Sequence, residues 1–413
     1  MAIPSFLSYL HEEKTGKLMH LQHLEDLILD EGIAGLRFVE DVLREFHRML
    51  KHGGVSTSLN ITTKWDGAPS VIFGPDPADG VFFVATKAAF SKTPKLMKTQ
   101  QQIHDQYGDS GVANTLHACL AELSQLKPKQ ILQGDLLYTG SVPTEMIDGT
   151  SCLVFRPNTI AYAVDANSEL GKRIARSALG IVIHTMYAGH SKSIADYHST
   201  PITPGVFASL SRSARVVTID HTFDDLSGTV TFTTREESDF ALAYAKISED
   251  TGRIPVSLFT EITQEPVHGL IQMFINDRVR RGNLPKGIDA VNALSEFIST
   301  RRDMELAKLK TDAAKQKKAE SFNHVLNNIH VHHAHYAAWF NLHTSIANAK
   351  NIITQKLSQT SRIGTFIPTD TGYRLTGHEG FVAVSHSGKM VKLVDRLEFS
   401  RNNFLVPKQW AKP

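Results

Sequence analysis

The stretch LNITTKWDGAPS, residues 59–70, combines a strand pattern with a turn, and the interpretation of the whole chain depends on it. Its first six residues alternate, so Leu59 and Ile61 lie on one face of a β-strand and Lys64 on the other. Gly67 then starts a Gly-Ala-Pro turn. Lys64 therefore ends a strand where its side chain can point into a cleft beside a sheet. Taken alone, the string Lys-x-Asp-Gly is equally compatible with an exposed turn.

A lysine at such a position can attack a phosphoryl group only while its amine is neutral. The ordinary lysine pKa is about 10.4, so attack at neutral pH requires that the pKa be lowered by burial or by a neighbouring cation. We therefore expect one of these two influences at Lys64.

The residues that follow Lys64 form short β-rich runs separated by Gly, Pro, Asn and Asp. The predicted strands are 59–64, 70–74, 81–87, 130–139, 159–165 and 180–187. A helical stretch at about 96–125 separates the third from the fourth. Two further pairs are predicted to form hairpins, namely 215–220 with 228–234 and 380–386 with 389–395.

Helical periodicity dominates the two remaining parts of the chain. Apolar residues at three- and four-residue spacing predict helix over 20–51, with a break at Gly32–Gly35, and again over 236–358. Within the second part, 300–320 is rich in charge and predicts an exposed helix. The fold class is therefore α+β, a β-rich core with N-terminal helices and a helical insert before Glu379. The predicted segments are 1–55, 56–235, 236–360 and 361–413.

Five short strings follow Lys64-x-Asp66-Gly67, each on a predicted strand. They are, in chain order, Thr86-Lys87, Gly134-Asp135, Tyr162 within TIAYAVD, Glu379-Gly380-Phe381-Val382 and Val391-Lys392-Leu393-Val394. In order and in residue type the set resembles the covalent nucleotidyltransferases, that is, the DNA and RNA ligases and the mRNA capping enzymes. The resemblance implies a ligase-type nucleotidyltransferase core in which Lys64 takes up a nucleoside monophosphate.

The resemblance also implies a role for each matching residue. Lys392 would contact the α-phosphate as the second catalytic lysine, and Glu379 would hold Mg²⁺ or Mn²⁺, which prefer oxygen ligands. The residues implied to bind the nucleotide are Thr63, Asp66, Gly67, Lys87, Asp135 and Tyr162. Two of these have a plain structural alternative, because Tyr162 could stack on the base or belong to the core, and Lys87 could lie near a phosphate or simply end a strand.

Several positions depart from the pattern of the family. Asp135 stands where the family usually has a Glu that contacts the ribose. Thr62 and Pro69 stand where many DNA ligases have a base-reading Glu and an Arg, and Lys392 is not followed by a second lysine. Specificity for adenine is therefore implied only by the resemblance.

The short stretch after Lys392, about twenty residues, is too small for the oligonucleotide-binding barrel that follows this motif in DNA ligases and capping enzymes. This favours a phage-type, ATP-dependent RNA ligase, as used in RNA repair, that joins 5′-phosphate to 3′-hydroxyl ends through a lysyl-AMP. The alternatives are a DNA ligase, another nucleotidyltransferase, or a non-catalytic protein of the same fold that binds nucleotide or nucleic acid.

The bulk properties neither require nor exclude a nucleic-acid partner, because 44 Lys and Arg nearly balance 42 Asp and Glu over 413 residues. Cys119 and Cys152 are too few for a disulfide scaffold, which fits a reducing compartment. The N-terminal sequence does not have the layout of a signal peptide, and no run of about 18 apolar residues is present. We expect a protein of the cytoplasm, or of the host cytoplasm if it is viral, with no membrane partner.

Two clusters in the helical part of the sequence have competing interpretations. The histidines of HVHHAH, residues 330–335, could bind a metal, but a helix facing solvent or a partner is favoured because no clean ligand pair is present. Basic residues, among them Arg280, Arg281, Arg301 and Arg302, could clamp RNA in place of the barrel. Their alternative is a solvated helix with internal charge pairs.

Overall fold

The computed structural model contains helices and several small sheets, which is an α+β arrangement. The described residues are 22–53, 59–147, 149–158, 160–219, 231–359, 364–369, 372–375, 379–385 and 389–400. None of the helices among them combines the length and the apolar character needed to cross a membrane.

The α-helices of the described residues fall into an N-terminal group, a few within the β-rich part, and a long C-terminal group. In chain order they are α1 (Leu27–Asp30), α2 (Gly32–His52), α3 (Gln100–Tyr107), α4 (Gly111–Leu123), α5 (Glu169–Arg176), α6 (Pro204–Ala208), α7 (Thr234–Thr251), α8 (Val256–Ile262), α9 (Val267–Arg280), α10 (Gly287–Ala307), α11 (Asp312–Val331) and α12 (His333–Ser358).

The strands belong to three sheets. In chain order they are β1 (Leu59–Lys64), β2 (Ser70–Pro75), β3 (Phe82–Ala85), β4 (Ile131–Thr139), β5 (Thr144–Ile147), β6 (Thr150–Phe155), β7 (Ala161–Asp165), β8 (Leu179–Ala188), β9 (His198–Pro201), β10 (Val216–Ile219), β11 (Gly364–Thr369), β12 (Gly372–Leu375), β13 (Gly380–Ser385) and β14 (Met390–Val394). The strand orders are β1-β13-β14, β10-β8-β4-β2-β3 with β9 beside β8, and β12-β11-β7-β6-β5.

The three-stranded sheet combines β1, from the N-terminal part of the described chain, with β13 and β14, from its C-terminal part. It packs on helices. Its apolar face enters the same hydrophobic cluster as α2 and as the C-terminal helices, because alternate residues of a strand share one face. The residues that it contributes are Leu59, Ile61, Phe381, Ala383, Val391 and Leu393. The opposite face carries Lys64 and Lys392.

The other two sheets meet the three-stranded sheet at a second cluster. Trp65, which follows β1, packs there with Tyr162 of β7, Val182 of β8 and Val394 of β14. Helices α3 and α4 cover one face of the larger sheet, and Leu116 and Leu123 are fully or almost fully buried against it. The face that carries Lys64 and Lys392 therefore looks toward the junction of all three sheets.

Most predicted elements are confirmed, including two helices over 20–51, the strand 59–64 and the C-terminal hairpin. The helix break predicted at Gly32–Gly35 is misplaced, because the helices separate at Glu31 and α2 begins at Gly32. The predicted strand 81–87 is too long, since β3 ends at Ala85 and Lys87 begins a short 3₁₀ helix. The helix predicted over 300–320 is in fact the end of α10 and the start of α11, separated by four residues.

The hairpin predicted for 215–220 and 228–234 is wrong where it can be examined. Strand β10 pairs in parallel with β8, and residues 231–234 of the second predicted strand lead into helix α7, which Thr233 caps. Residues 228–230 lie outside the described residues. The hairpin β5–β6 was missed, although Asp148-Gly149 between its strands is a typical hairpin-turn pair.

The predicted boundary at 235/236 falls inside α7 (Thr234–Thr251), and the boundaries at 55/56 and 360/361 lie outside the described residues. The packing also groups the segments differently. Helices from 1–55 and from 236–360 share one hydrophobic cluster with each other and with the three-stranded sheet. The helices of the insert thus share their hydrophobic cluster with the N-terminal helices. A small sheet with one apolar face must be covered, and these helices provide the cover. We call the helical part of this grouping, α1, α2 and α7–α12 with residues 22–26 before α1, the helical unit.

Candidate active site

Lys64 stands at the last position of β1, directly opposite Gly380 at the first position of β13. Gly380 also pairs with Val394 of β14, and a Cβ on Gly380 would lie only 2.1 Å from the carbonyl oxygen of Leu393. No side chain fits between these strands at this point, which explains the glycine. The close approach brings Glu379, the residue before Gly380, beside Lys64.

The ammonium of Lys64 donates a hydrogen bond to the carboxylate of Glu379, which is 6% exposed. Burial acts to lower the pKa of Lys64, but the carboxylates of Glu379, Asp135 and Asp66 outweigh it and raise the pKa above its ordinary value. The chemistry of attack required a lowered pKa, so the structure holds the amine in its protonated, unreactive form. Burial, Asp66 and Asp135 in turn raise the pKa of Glu379 despite its pairing with Lys64.

Lys392 lies on the same face of the sheet as Lys64, opposite Val382. Burial, together with the positive charges of Lys64 and Arg396, lowers the pKa of Lys392 to about 8, although Asp26 and Glu379 act in the other direction. The site thus contains two lysines whose pKa values move in opposite directions. At pH 8 a substantial fraction of Lys392 is neutral, whereas Lys64 remains charged.

Asp66 and Tyr162 stabilise the loop that follows Lys64. The two carboxylate oxygens of Asp66 accept hydrogen bonds from the Asn158 side chain (2.8 Å) and from the Ile160 N–H (2.7 Å). The N–H of Asp66 donates to the Tyr162 hydroxyl (2.8 Å). These bonds fix the backbone immediately after the candidate nucleophile.

Tyr162 is completely buried, and its ring packs against Trp65 (4.9 Å between ring centroids) and Phe155 (5.5 Å). The structure therefore places it in the core, and no face of the ring is open to a nucleotide base. Of the two roles considered for Tyr162, the core role fits this geometry and base stacking does not.

Asp135 lies on β4 opposite Ser70 and directly beside Gly67. A Cβ on Gly67 would be 2.6 Å from the Cβ of Asp135, so the turn after Lys64 packs tightly on this strand. Burial would raise the pKa of Asp135, but His184 (3.4 Å), Ser70 and Lys64 lower it. Asp135 is therefore an ionised group near Lys64.

The structure does not place the side chains of two predicted nucleotide-binding residues, Lys87 and Thr63, beside Lys64 and Glu379. Lys87 is exposed, at the start of the 3₁₀ helix Lys87–Phe90, whose N-cap is Thr86. Thr63 pairs with Phe381 through its backbone, and its side chain lies outside the described part of the chain.

A divalent cation fits this site only as a partner of phosphate. Within the described residues, no group of three or more His, Cys, Asp or Glu side chains is placed to hold a metal ion. Asp66 has both oxygens engaged by the protein, and Glu379 offers a single carboxylate. Mg²⁺ commonly binds through one or two carboxylates, waters and phosphate oxygens. The residues present fit such an ion with Glu379 as its ligand.

Several charged residues next to the site were not found from the sequence. Asp26 accepts hydrogen bonds from Arg396 (2.8 Å) and His343 (3.0 Å), and His23 forms a parallel β-bridge with Lys392. Asp26, Arg396, His343 and His23 are each at most 8% exposed. No local motif marks these residues, because their significance comes only from contacts across the chain.

The two ambiguous clusters of the helical segment fit their structural alternatives. The residues of HVHHAH span the junction between α11 and α12, where the rings of His332 and His335 stack at 5.9 Å. The basic residues of the segment include members of local charge pairs: Arg281 with Asp277, Arg302 with Asp303, and Lys308 with Glu305. Pairing of this kind reduces the charge available to bind phosphates.

Comparison with known proteins connects the chain to a family without a known function. No curated protein and no solved structure matches the chain. One family model matches residues 18–408, nearly the whole sequence and every residue of the site described above. The chain therefore belongs to the family described as "Family of unknown function (DUF6267)".

Proposed function

We propose that this protein is an ATP-dependent polynucleotide ligase, with RNA as the favoured substrate, that forms a lysyl-AMP on Lys64. The observation that supports this most is the pairing of Lys64 with Glu379, which lie 315 positions apart in the sequence. Asp135 helps to raise the pKa of Lys64, and the charges of Lys64 and Glu379 in turn act on the pKa of Lys392. These are the positions at which the resemblance to nucleotidyltransferases implies the nucleophile, the metal ligand, the phosphate contact and the ribose contact.

The finer fold proposal is a ligase-type nucleotidyltransferase core. It is supported by the position of Lys64 at a strand end between the three-stranded sheet and the two larger sheets. Covalent transfer needs a nucleophile that is fixed and shielded from water. The hydrogen bonds to Asp66 fix the loop after Lys64. Trp65, which is 7% exposed, packs in the hydrophobic cluster next to Lys64.

In the first step, the nitrogen of Lys64 attacks the α-phosphorus of ATP, a nitrogen–phosphorus bond forms, and the bond to pyrophosphate breaks. The ammonium of Lys64 must first give up a proton, which would pass to solvent by way of Glu379, the carboxylate hydrogen-bonded to it. Lys392 would neutralise charge that develops on the phosphate oxygens. Mg²⁺ bound with the triphosphate would add further neutralisation. A cation near Glu379 would weaken the attraction between Glu379 and Lys64. The pKa of Lys64 would then fall, which favours the neutral amine.

Two later steps complete the proposed reaction. The AMP moves from Lys64 to a 5′-phosphate, which creates a pyrophosphate linkage at the end of the strand. A 3′-hydroxyl then attacks that phosphate, and AMP leaves. The preference for RNA over DNA rests on the resemblance alone.

A second candidate is a protein of the same fold that binds nucleotide without turnover. The observation that favours it is the raised pKa of Lys64, since a lysine that stays protonated beside Glu379 is not a nucleophile. The two candidates differ in one measurable product, the covalent adduct.

The decisive experiment incubates the purified protein with α-labelled ATP and Mg²⁺ and follows label that stays on the protein after denaturation. We expect an adduct that is stable in alkali and released by mild acid, as is typical of a nitrogen–phosphorus bond, and located at Lys64 by mass spectrometry. Lys64→Arg retains a cation for Glu379 and should give no adduct. Lys172→Met, at an exposed position paired with Glu169, is the matched control and should react normally. Label on Lys64→Arg would place the nucleophile elsewhere, and no label on the wild type would favour the binding protein.

The substrate can then be identified with the adenylylated protein. Transfer of AMP to 5′-phosphorylated single strands of RNA and of DNA, followed by sealing, would show which polymer is used. We expect faster transfer to RNA, whereas faster transfer to DNA would favour the DNA ligase alternative.

A further inference from the structure

The strand that carries Lys392 is fastened to the helical unit at two points. The N–H of Lys392 donates to the carbonyl of Gln22 (2.9 Å), within the parallel bridge between His23 and Lys392. Four residues beyond Lys392, the guanidinium of Arg396 donates two hydrogen bonds from Nη1 to the carboxylate of Asp26 (2.8 and 3.0 Å). Both fastenings therefore depend on the segment just before helix α1.

Asp26 is the centre of the second fastening. It is 2% exposed, and it also accepts a hydrogen bond from the imidazole of His343 on α12 (3.0 Å). Arg396 makes one further bond, from Nη2 to Asn276 on α9 (2.8 Å). A buried carboxylate that receives several charge-assisted hydrogen bonds is held rigidly, because each alternative position leaves a buried charge unpaired.

Lys392 itself has no hydrogen-bond partner for its amine among the described residues, although Asp26, Arg396 and Glu379 influence its charge. Its position is thus determined by its backbone and not by a side-chain partner. This arrangement suits a lysine that must remain available to a ligand.

We propose that Asp26 is a positioning residue for Lys392, through which the helical unit places the phosphate-contacting lysine on the sheet face that carries Lys64. The inference rests on the proposed function for the identity of the ligand. It assigns the helical unit a part in the reaction, beyond that of covering the three-stranded sheet.

The test compares a charge-balanced variant with a matched control. Asp26→Asn combined with Arg396→Gln removes the ion pair without leaving a lone buried charge. The control is Glu25→Gln with Lys350→Met, which removes an equally buried ion pair (2.8 Å) from the adjacent residue of the same segment. We expect adduct formation to slow on the order of 10- to 100-fold in the Asp26 variant and by less than about 3-fold in the control. Far-ultraviolet circular dichroism and thermal melting monitor the fold of both.

A positioning role also predicts that the effect depends on Lys392. In a Lys392→Met background, the Asp26 variant should lose little further activity, because the residue being positioned is absent. An equal loss in both backgrounds would identify Asp26 as a general structural residue. No loss in the wild-type background would also overturn the proposal.

A readout without catalysis separates this inference from the proposed function. Acetic anhydride labels neutral amines, and mass spectrometry gives the labelling rate of Lys392 relative to exposed Lys172. We expect this ratio to change several-fold in the Asp26 variant and to stay constant in the control. An unchanged ratio would refute the positioning role, whether or not the wild-type protein forms an adduct with ATP. A missing adduct with a changed ratio would refute only the ligase proposal.

Discussion

At the scale of single residues, the site is a set of charges whose neighbours determine which groups are ionised. Lys64 and Lys392 share one face of a sheet, yet the pKa of Lys64 is raised by acidic neighbours and that of Lys392 is lowered to about 8 by burial and nearby cations. The candidate nucleophile Lys64 is therefore protonated in this site.

Replacing Lys392 should slow adduct formation. Lys392→Met eliminates a cation that stabilises the transition state, and losing one such contact costs on the order of 10²–10³ in rate. Glu379→Gln should also slow the reaction. The pKa of Lys392 is about 8, so the cation that Lys392→Met removes is largely absent above pH 9, and the loss in that variant should be greatest below pH 8 and shrink above it. Single-turnover rates between pH 6 and 10 check both statements, and near-normal rates in both variants would show that these strands do not face the nucleotide.

The carboxylate of Asp66 should be important for stability. In Asp66→Asn one oxygen is replaced by a donor, which then faces the donating Ile160 N–H or the Asn158 amide. A buried group left without an acceptor costs about 1–3 kcal/mol in the free energy of unfolding. Urea denaturation measures the loss. Asp109→Asn, at a side chain that is 99% exposed, is the control and should change stability by less than about 0.5 kcal/mol.

At the scale of elements, helix α7 is tied to α12 through its first turn. Thr233 and Glu236 form a capping box, and Glu236 also accepts from Lys356 (2.8 Å) in the last turn of α12. Partial burial opposes ionisation of Glu236, but the hydrogen bonds from Lys356 and Thr233 lower its pKa to about 2.

Glu236→Gln should therefore destabilise the protein in a way that depends on pH. At pH 7 the expected cost is about 1–2 kcal/mol, because a charge-assisted hydrogen bond and part of the cap are lost. A lowered carboxyl pKa contributes stability above the unfolded-state pKa of about 4.3, and this contribution disappears as the pH falls toward 2. The difference between wild type and variant should shrink between about pH 5 and pH 2 in thermal melts, and a constant difference would contradict the lowered pKa.

A prediction from the sequence succeeded where its signal lies within one short stretch of residues. The alternation of residues 59–64 and the helical spacing of 20–51 were sufficient, because these patterns are complete within a few turns or residues. The pairing of Lys64 with Gly380 has no local signal, and neither does the contact between Asp26 and Arg396, because each joins residues more than 300 positions apart. The core position of Tyr162 was one of two alternatives, and the sequence could not choose between them, since a strand buried on both faces does not alternate.

At the scale of the whole molecule, buried ion pairs connect the N-terminal segment to the C-terminal helices. Glu25 and Lys350 are 0% and 1% exposed and form two hydrogen bonds of 2.8 Å. Breaking such a pair from one side leaves a lone buried charge, whereas removing both charges avoids that penalty.

The Glu25–Lys350 pair should consequently show strong coupling. Glu25→Gln and Lys350→Met are each expected to cost about 3–5 kcal/mol in the free energy of unfolding, and the double variant is expected to cost less than their sum. Chemical denaturation of the four proteins gives the coupling free energy. Additive costs would show that the two side chains do not interact in the folded protein.

The pairing of β1 with β13 and β14 also determines when the site can exist during synthesis. Domains generally begin to fold from the N-terminal end as the chain leaves the ribosome. When Lys64 emerges, its partner strands have not been translated, and β1 has unpaired backbone groups of the kind that promote aggregation. The helices α7 to α12 must be made before Glu379 and Lys392 arrive. A ribosome that stalls within α12 therefore holds a chain with the candidate nucleophile but without the rest of the candidate site, and the proposed activity would arise only near the end of translation.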